Sequence, residues 1–212
     1  METLMYQVLE KGTTPKGNDI ELYGISGAEH QVLVIGVVHG DEPQGRALIE
    51  RYMRESDSKN ILFIPSLNPD GEAENTRVNS SGVDINRNFP TKNWEWSEHG
   101  NYYGGVEPAS EIETRFVMNI LEKYKPSAII TLHTPYEVVN YDGPAQELAN
   151  MISDIIGYPV ESNIGYPTPG SFGTYAGVER NIPTITLEMD EHASVDMLYK
   201  YIKQIFDNLY IV

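Results

Sequence analysis

The stretch QVLVIGVV, Gln31–Val38, carries no polar residue after its first position. A strand with one face in water alternates apolar and polar side chains. An unbroken apolar run of this length instead fits a strand covered on both faces, as in parallel sheets flanked by helices. Ile61–Ile64 repeats the pattern in short form, Ser127–Leu132 and Pro183–Leu187 are further short strand candidates, and Ile20–Ser26 reads as a strand whose apolar residues are broken by Glu21. Helical stretches lie between these runs. Pro43–Arg54 opens on a proline, which suits a first helical turn. Ser110–Tyr124 has Ser110 placed as N-cap, Glu113 as its capping-box partner and Pro126 beyond its end. Pro144–Ile156 follows, and Ala193–Leu209 closes the series with Leu198, Ile202, Ile205 and Leu209 on one face. Strands alternating with helices predict an α/β fold with a mixed, largely parallel central sheet flanked by helices. The length suits a single domain over residues 1–212. Ser66–Ala109 shows no convincing helix or strand, and a loop that long in a compact domain is usually functional. Its aromatic residues, Trp94, Trp96, Tyr102 and Tyr103, are expected to pack it onto the domain, with lining a cleft as the alternative.

Composition narrows the chemistry. There is no cysteine, so disulfides, thiolate-held zinc, iron–sulfur clusters and thiol nucleophiles are excluded. A bound metal must be held by His, Asp or Glu. Lys and Arg number 15 against 31 Asp and Glu, a net charge of −16. Such a chain repels phosphate backbones and anionic lipid, so neither nucleic acid nor a membrane is an expected partner. The start, METLMYQVLE, lacks the basic stretch and apolar run of a signal peptide. No segment approaches the roughly 20 apolar residues of a membrane span. The expectation is a cytoplasmic protein, its oligomeric state left open.

The polar residues fall in a telling place. His39 and Glu42 follow one apolar run, Asn68, Asp70, Arg77, Asn86 and Arg87 follow the next, His133 ends a third and Glu188 a fourth. In open α/β sheets, ligands bind beyond the carboxyl ends of the strands. Two His, two Glu and two Arg are thus delivered toward one edge. His39 and Glu42 form an H-x-x-E pair that His133 can complete as a His₂Glu set, the pattern of a catalytic zinc with an open position. The same residues also fit blander roles, a solvent-facing His before a helix and a His at the core edge. Glu188, just past an apolar strand, is placed for partial desolvation, which raises a carboxylate pKa and suits a general base. It also fits a helix-capping or surface carboxylate. Arg87 suits a carboxylate clamp. The turn-rich segment Gly165–Gly170 is either a lid or a simple connection. His30, His99 and His192 have no comparable setting.

Six pieces taken together, HGDE (39–42), LNPDG (67–71), DINRNFP (84–90), PASEIET (108–114), TLH (131–133) and TLEMD (186–190), resemble the zinc carboxypeptidase family that contains carboxypeptidase A. They occur in the family's order and cover most of the chain. The resemblance implies one zinc ion held by His39, Glu42 and His133, with Glu188 as the general base that activates the attacking water. It implies Arg77 at the scissile carbonyl, Asn86 and Arg87 on the substrate's terminal carboxylate, and Tyr166 as the mobile-loop tyrosine. NSSGVDINRNFPTKNW (79–94) and GYPTPGSFGTY (165–175) are most similar to short bacterial members. Those members cleave the γ-D-glutamyl–meso-diaminopimelate bond of small murein peptides in the cytoplasm. On that reading Asp142, Glu137 or another residue of the Tyr136–Gly143 loop meets the distal end of the diamino acid. A general metallocarboxypeptidase, a deacylase of the aspartoacylase or succinylglutamate desuccinylase type and a non-catalytic peptide binder remain the alternatives.

Overall fold

The computed structural model describes residues 6–29, 31–163 and 165–209. His30 and the first five residues of the N-terminal stretch read above lie outside the described residues. Among the described residues one sheet has eight strands: β1 (Gln7–Thr13), β2 (Asp19–Gly24), β3 (Val32–Ile35), β4 (Ile61–Ile64), β5 (Ala128–His133), β6 (Val138–Asp142), β7 (Val160–Glu161) and β8 (Thr184–Glu188). Their spatial order is β1-β2-β4-β3-β5-β8-β6-β7. The central four, β4, β3, β5 and β8, are parallel. Antiparallel pairing joins β2 to β4 and β6 to β8 at their flanks. The helices are α1 (Gln44–Glu55), α2 (Pro69–Glu74), α3 (Ile112–Tyr124), α4 (Gln146–Ile156) and α5 (Val195–Asp207), with a 3₁₀ turn at Ile85–Arg87 and a π-helical turn at Gly173–Val178.

The apolar runs are explained by burial on both faces. Side chains alternate along a strand. Val32, Val34, Ile61, Phe63, Ile130 and Leu132 therefore enter one core, with α1, α4 and α5. Leu33, Ile35, Leu62, Ile64 and Ile129 enter a second, with Phe116, Val117 and Ile120 of α3 and with Phe89 and Phe172. The stripe Leu198, Ile202, Ile205 and Leu209 is fully buried, as its spacing predicts.

Several local expectations are corrected. The third strand ends at Ile35 rather than Val38, because the chain turns at Gly36 and Val37, the latter at φ 46°. Val37 and Val38 stay buried, so the apolar run outlasts the strand. The capping box at Ser110 does not form. Glu111 occupies the N-cap without a side-chain bond, Ser110 Oγ donates to Glu111 Oε1, and Glu113 is drawn inward to Asn79. Ser66–Ala109 does contain regular structure. Asn68 Oδ1 accepts from Gly71 N at 2.9 Å and Pro69 opens α2, while Asp84 caps the 3₁₀ turn. The segment read as a loop after Tyr136 contains β6. Strand β1 escaped the sequence reading because it lies at the sheet edge and none of its residues is fully buried.

Candidate active site

From β3 the chain passes through α1 to β4 on one side, then returns to β5 on the other side of β3. This reversal makes the carboxyl ends of β3 and β5 a topological switch point, where such sheets form a crevice. His39 and Glu42 lie in the turn after β3, and Glu42 N donates to His39 O at 3.2 Å, which brings the two side chains round together. Gly40 is required there, because a Cβ at that position would collide with the Gly71–Glu72 backbone. His133 ends β5 and is in register with Glu188 at the end of the neighbouring β8.

The three candidate ligands meet. Their donor atoms all lie within 4.8 Å of one another, and all three residues are buried. His39 Nδ1 lies 2.8 Å from Glu42 Oε1 and His133 Nδ1 lies 2.9 Å from Glu42 Oε2. The two Nδ1 atoms are 3.2 Å apart. The far nitrogen of His39, Nε2, lies 3.2 Å from Asp84 Oδ1, an acceptor that would fix the ring with Nδ1 presenting its lone pair to a metal at the cluster. Asp84 is fully buried and also holds Arg77, whose Nε and Nη2 donate to its Oδ2 at 3.1 and 3.0 Å. Arg77 Nη1 lies 3.7 Å from Glu42 Oε1. Asn86 and Arg87 follow on the 3₁₀ turn, which is tied down by Asn86 N donating to Asp84 Oδ1 at 2.9 Å. Asn86 Oδ1 accepts from Phe172 N, and Arg87 Nη1 donates to Asn86 O.

The electrostatics suit a cation. Burial opposes charging His39, but the Glu42 and Asp84 carboxylates outweigh it and hold its pKa up at about 9. Burial would raise the Glu42 carboxyl, yet His39 and His133 hold it far below the usual range. Surroundings that favour a proton's positive charge also favour a divalent ion, and two imidazoles with one carboxylate form a catalytic zinc donor set. Glu188 stands beside this set. Its Oε2 is buried with no hydrogen-bond partner among the described residues. Burial, with Glu42 adding, pushes its pKa up, although His133 and His39 pull against the shift. The orphaned oxygen is free to take a proton from a molecule held at the cluster.

One cavity of about 400 Å³ is lined by His39, Glu42, Arg77, Asn86, Arg87 and Glu188. Tyr166 joins its wall from the segment before the π-helical turn and is 41% exposed. His133 meets the same group through its contacts with Glu42 and His39. All eight predicted site residues are thus brought to one place. Asp142 also lines the cavity, whereas Glu137 is exposed outside it. His99 packs against the Tyr103 ring and His192 is exposed beside Glu191, so neither joins the cluster. Two participants were not assigned from sequence. Asp84 stood within DINRNFP, and the need of a metal-bound His for an acceptor on its second nitrogen is the signal that finds it. Tyr102 lies under both guanidinium groups, with Arg77 Cζ 5.1 Å and Arg87 Cζ 5.7 Å from its ring centre. The expectation that the loop aromatics serve packing holds for Tyr103, which is buried. Trp96 and Tyr102 are instead 63% and 60% exposed, and Tyr102 takes the alternative role, lining the cavity.

The chain is 32% identical to murein peptide amidase A of Vibrio campbellii over 174 residues, covering 74% of this chain and 68% of that protein. It is 28% identical to murein peptide amidase A of Escherichia coli K12, covering 80% of this chain and 75% of that protein. The crystal structure of a murein-tripeptide amidase from Escherichia coli O157 superposes with a TM-score of 0.85 at 24% identity, over 97% of this chain and 91% of that one. Thrombin-activatable fibrinolysis inhibitor superposes at 0.78 with 17% identity, over 96% of this chain and 69% of that one, a likeness of fold alone. Residues 4–154 match the zinc carboxypeptidase family, and with the His₂Glu cluster in place the chain belongs to that family.

Proposed function

We propose that the protein is a zinc amidase that hydrolyses the γ-D-glutamyl–meso-diaminopimelate bond of small murein peptides, in cytoplasmic recycling of wall fragments. The carrying observation is the orphaned Oε2 of Glu188 beside the His39–Glu42–His133 cluster, in a cavity that also holds Arg77, Asn86 and Arg87. The identity to two murein peptide amidases supports the substrate class.

His39, Glu42 and His133 would hold the zinc. When bound, the ion acidifies a water to a pKa of about 7 and polarises the scissile carbonyl. Glu188 takes the proton of the attacking water and later passes it to the departing amine, a role its raised pKa suits near neutral pH. Arg77, anchored by Asp84, donates to the oxyanion that develops on the carbonyl oxygen. Arg87 and Asn86 bind the carboxylate of the residue about to leave and so set which bond reaches Glu188. Tyr166, on the cavity wall and partly exposed, is placed to serve as the mobile-loop tyrosine.

The test is hydrolysis of L-Ala-γ-D-Glu-meso-diaminopimelate with and without a chelator, reading free diaminopimelate. Release that stops with chelator and returns with zinc is expected. No release from fully zinc-loaded protein would overturn the substrate. A fractionation blot reads the compartment, and signal confined to a secreted fraction would overturn the recycling role.

A further inference from the structure

Tyr102 takes no step in the proposed mechanism, yet its ring is placed against both arginines that do. Arg77 Cζ lies 5.1 Å and Arg87 Cζ 5.7 Å from the ring centre. Both distances fall within the roughly 6 Å over which a guanidinium is attracted to the electron-rich face of an aromatic ring. The ring is held there by its backbone rather than by burial, since it is 60% exposed. Ser97 Oγ donates to Tyr102 O at 3.3 Å. The next residue, Tyr103, is buried, its ring centre is 4.0 Å from that of His99, and its carbonyl accepts from Asp84 N at 2.8 Å. The loop that carries Tyr102 is therefore fastened to the start of the turn that presents Arg87.

The two arginines need that ring unequally. Arg77 donates twice to Asp84 Oδ2 and is anchored without it. Arg87 has no such anchor. It is buried, its Nη1 donates to the backbone oxygen of Asn86 at 2.7 Å, and it makes no ion pair among the described residues. A buried cation without a counter-charge is unfavourable, and a long side chain loses rotamer freedom when it is held in one place. A protein carboxylate in the position of the ring would solve both problems, but it would occupy the fork that an incoming carboxylate has to reach. The face of Tyr102 attracts the guanidinium without taking up its N–H groups.

We infer that Tyr102 is a positioning residue that holds the Arg87 guanidinium open for the terminal carboxylate, so that affinity for a free acid depends on its ring. This rests on the proposed function above, in that Arg87 is the carboxylate clamp. The ligand class is a peptide or amino acid with a free α-carboxylate on the leaving residue.

The experiment measures kcat and KM for L-Ala-γ-D-Glu-meso-diaminopimelate in zinc-loaded wild type, Tyr102→Leu and Tyr102→Phe. In Tyr102→Leu, KM should rise about 3–10-fold, the range for one cation–π contact at a partly exposed site. Its kcat should change less than about twofold, because Asp84 still holds Arg77 and binding alone is lost. Tyr102→Phe keeps the ring and should restore the KM. A wild-type KM in Tyr102→Leu, a loss in kcat instead of KM, or equal impairment in Tyr102→Phe would overturn the assignment. If the wild type does not turn the peptide over, the murein substrate fails, and calorimetry with free L-lysine and L-lysinamide on the same three proteins still reads Tyr102. Lysine affinity that falls in Tyr102→Leu and returns in Tyr102→Phe, with lysinamide indifferent to both changes, supports the role. Equal lysine affinities in wild type and Tyr102→Leu, absence of binding included, refute it. An equal loss on the amide also refutes it, since a general loosening of the site does not distinguish acid from amide.

Discussion

Glu113 couples the stability of the chain to pH through the loop that carries the site. It is fully buried on α3. Asn79 Nδ2 donates to Glu113 Oε2 at 3.2 Å and to Glu111 Oε2 at 2.8 Å, while Glu113 Oε1 has no partner among the described residues. Asn79 Oδ1 in turn accepts from Ser81 N and Val83 N, so it shapes the turn that leads into Asp84. Burial, with Glu111 and Asp70 adding, raises the Glu113 pKa from the ordinary 4.5 to about 7, against the pull of the Asn79 hydrogen bond. The native chain then keeps this proton up to about pH 7, whereas the unfolded chain loses it near 4.5. Between those values the native state binds more protons, so the stability from this group is present at low pH and is lost as pH rises. At 1.36 kcal/mol per pKa unit, the loss between pH 5 and pH 8 is about 2.5 kcal/mol. Glu113→Gln removes the titration and keeps an acceptor for Asn79. Its stability relative to wild type should therefore improve by about 2.5 kcal/mol from pH 5 to pH 8, read from urea unfolding of chelator-treated protein. For a chain of this size that corresponds to a relative Tm gain of roughly 5–10 °C. Any fixed packing difference between Gln and Glu cancels in the comparison. Stability curves that stay parallel across this range would refute the reasoning.

Glu188→Gln should retain one zinc per chain by metal analysis and lose about 10²–10⁴-fold in kcat; substantial residual turnover would remove Glu188 as the base. Asp84→Asn weakens the hold on His39 and Arg77 and should lower zinc affinity about 10–100-fold in a chelator competition; unchanged affinity would show that Asp84 does not orient the ligand. Arg87→Lys replaces a fork with a point charge. Its kcat/KM should fall about 10–100-fold with the circular dichroism spectrum unchanged; wild-type kinetics would move the carboxylate clamp elsewhere.

The fold was legible where burial is complete. β3 and β4 are covered on both faces and apolar without interruption, and β5 and β8 break their apolar runs only with threonines and with the His133 and Glu188 that end them, so all four stand out. β1 and β6 lie nearer the edges and mix polar with apolar residues, and no short pattern separates them from loops. α2 is a single short helix set by its cap, Asn68, and by Pro69 rather than by periodicity. The site was legible for a different reason. Groups that must bind or react are polar residues at the ends of apolar strands, a contrast visible along the chain. Tyr102 is positioned by a contact across 25 residues of chain, its ring under the Arg77 guanidinium, which linear spacing does not encode.

Asp84 explains why the DINR segment reads as a unit. Its Oδ1 accepts from His39 Nε2 and from Asn86 N, and its Oδ2 accepts twice from Arg77. One fully buried carboxylate thus sets the orientation of a ligand, of the arginine proposed for the oxyanion and of the turn presenting Asn86 and Arg87. Its charge is stable there: burial would raise its pKa, but His39, Arg77 and Arg87 hold it far below the usual carboxylate range. The two ends of the proposed chemistry, the cluster that activates water and the clamp that fixes the leaving carboxylate, are therefore not independent. A substitution at Asp84 should disturb both together, so its losses will not add to those of Arg77 or Arg87 variants, as expected for residues sharing one network. Additive losses in the Asp84→Asn, Arg87→Lys double variant would separate the two ends.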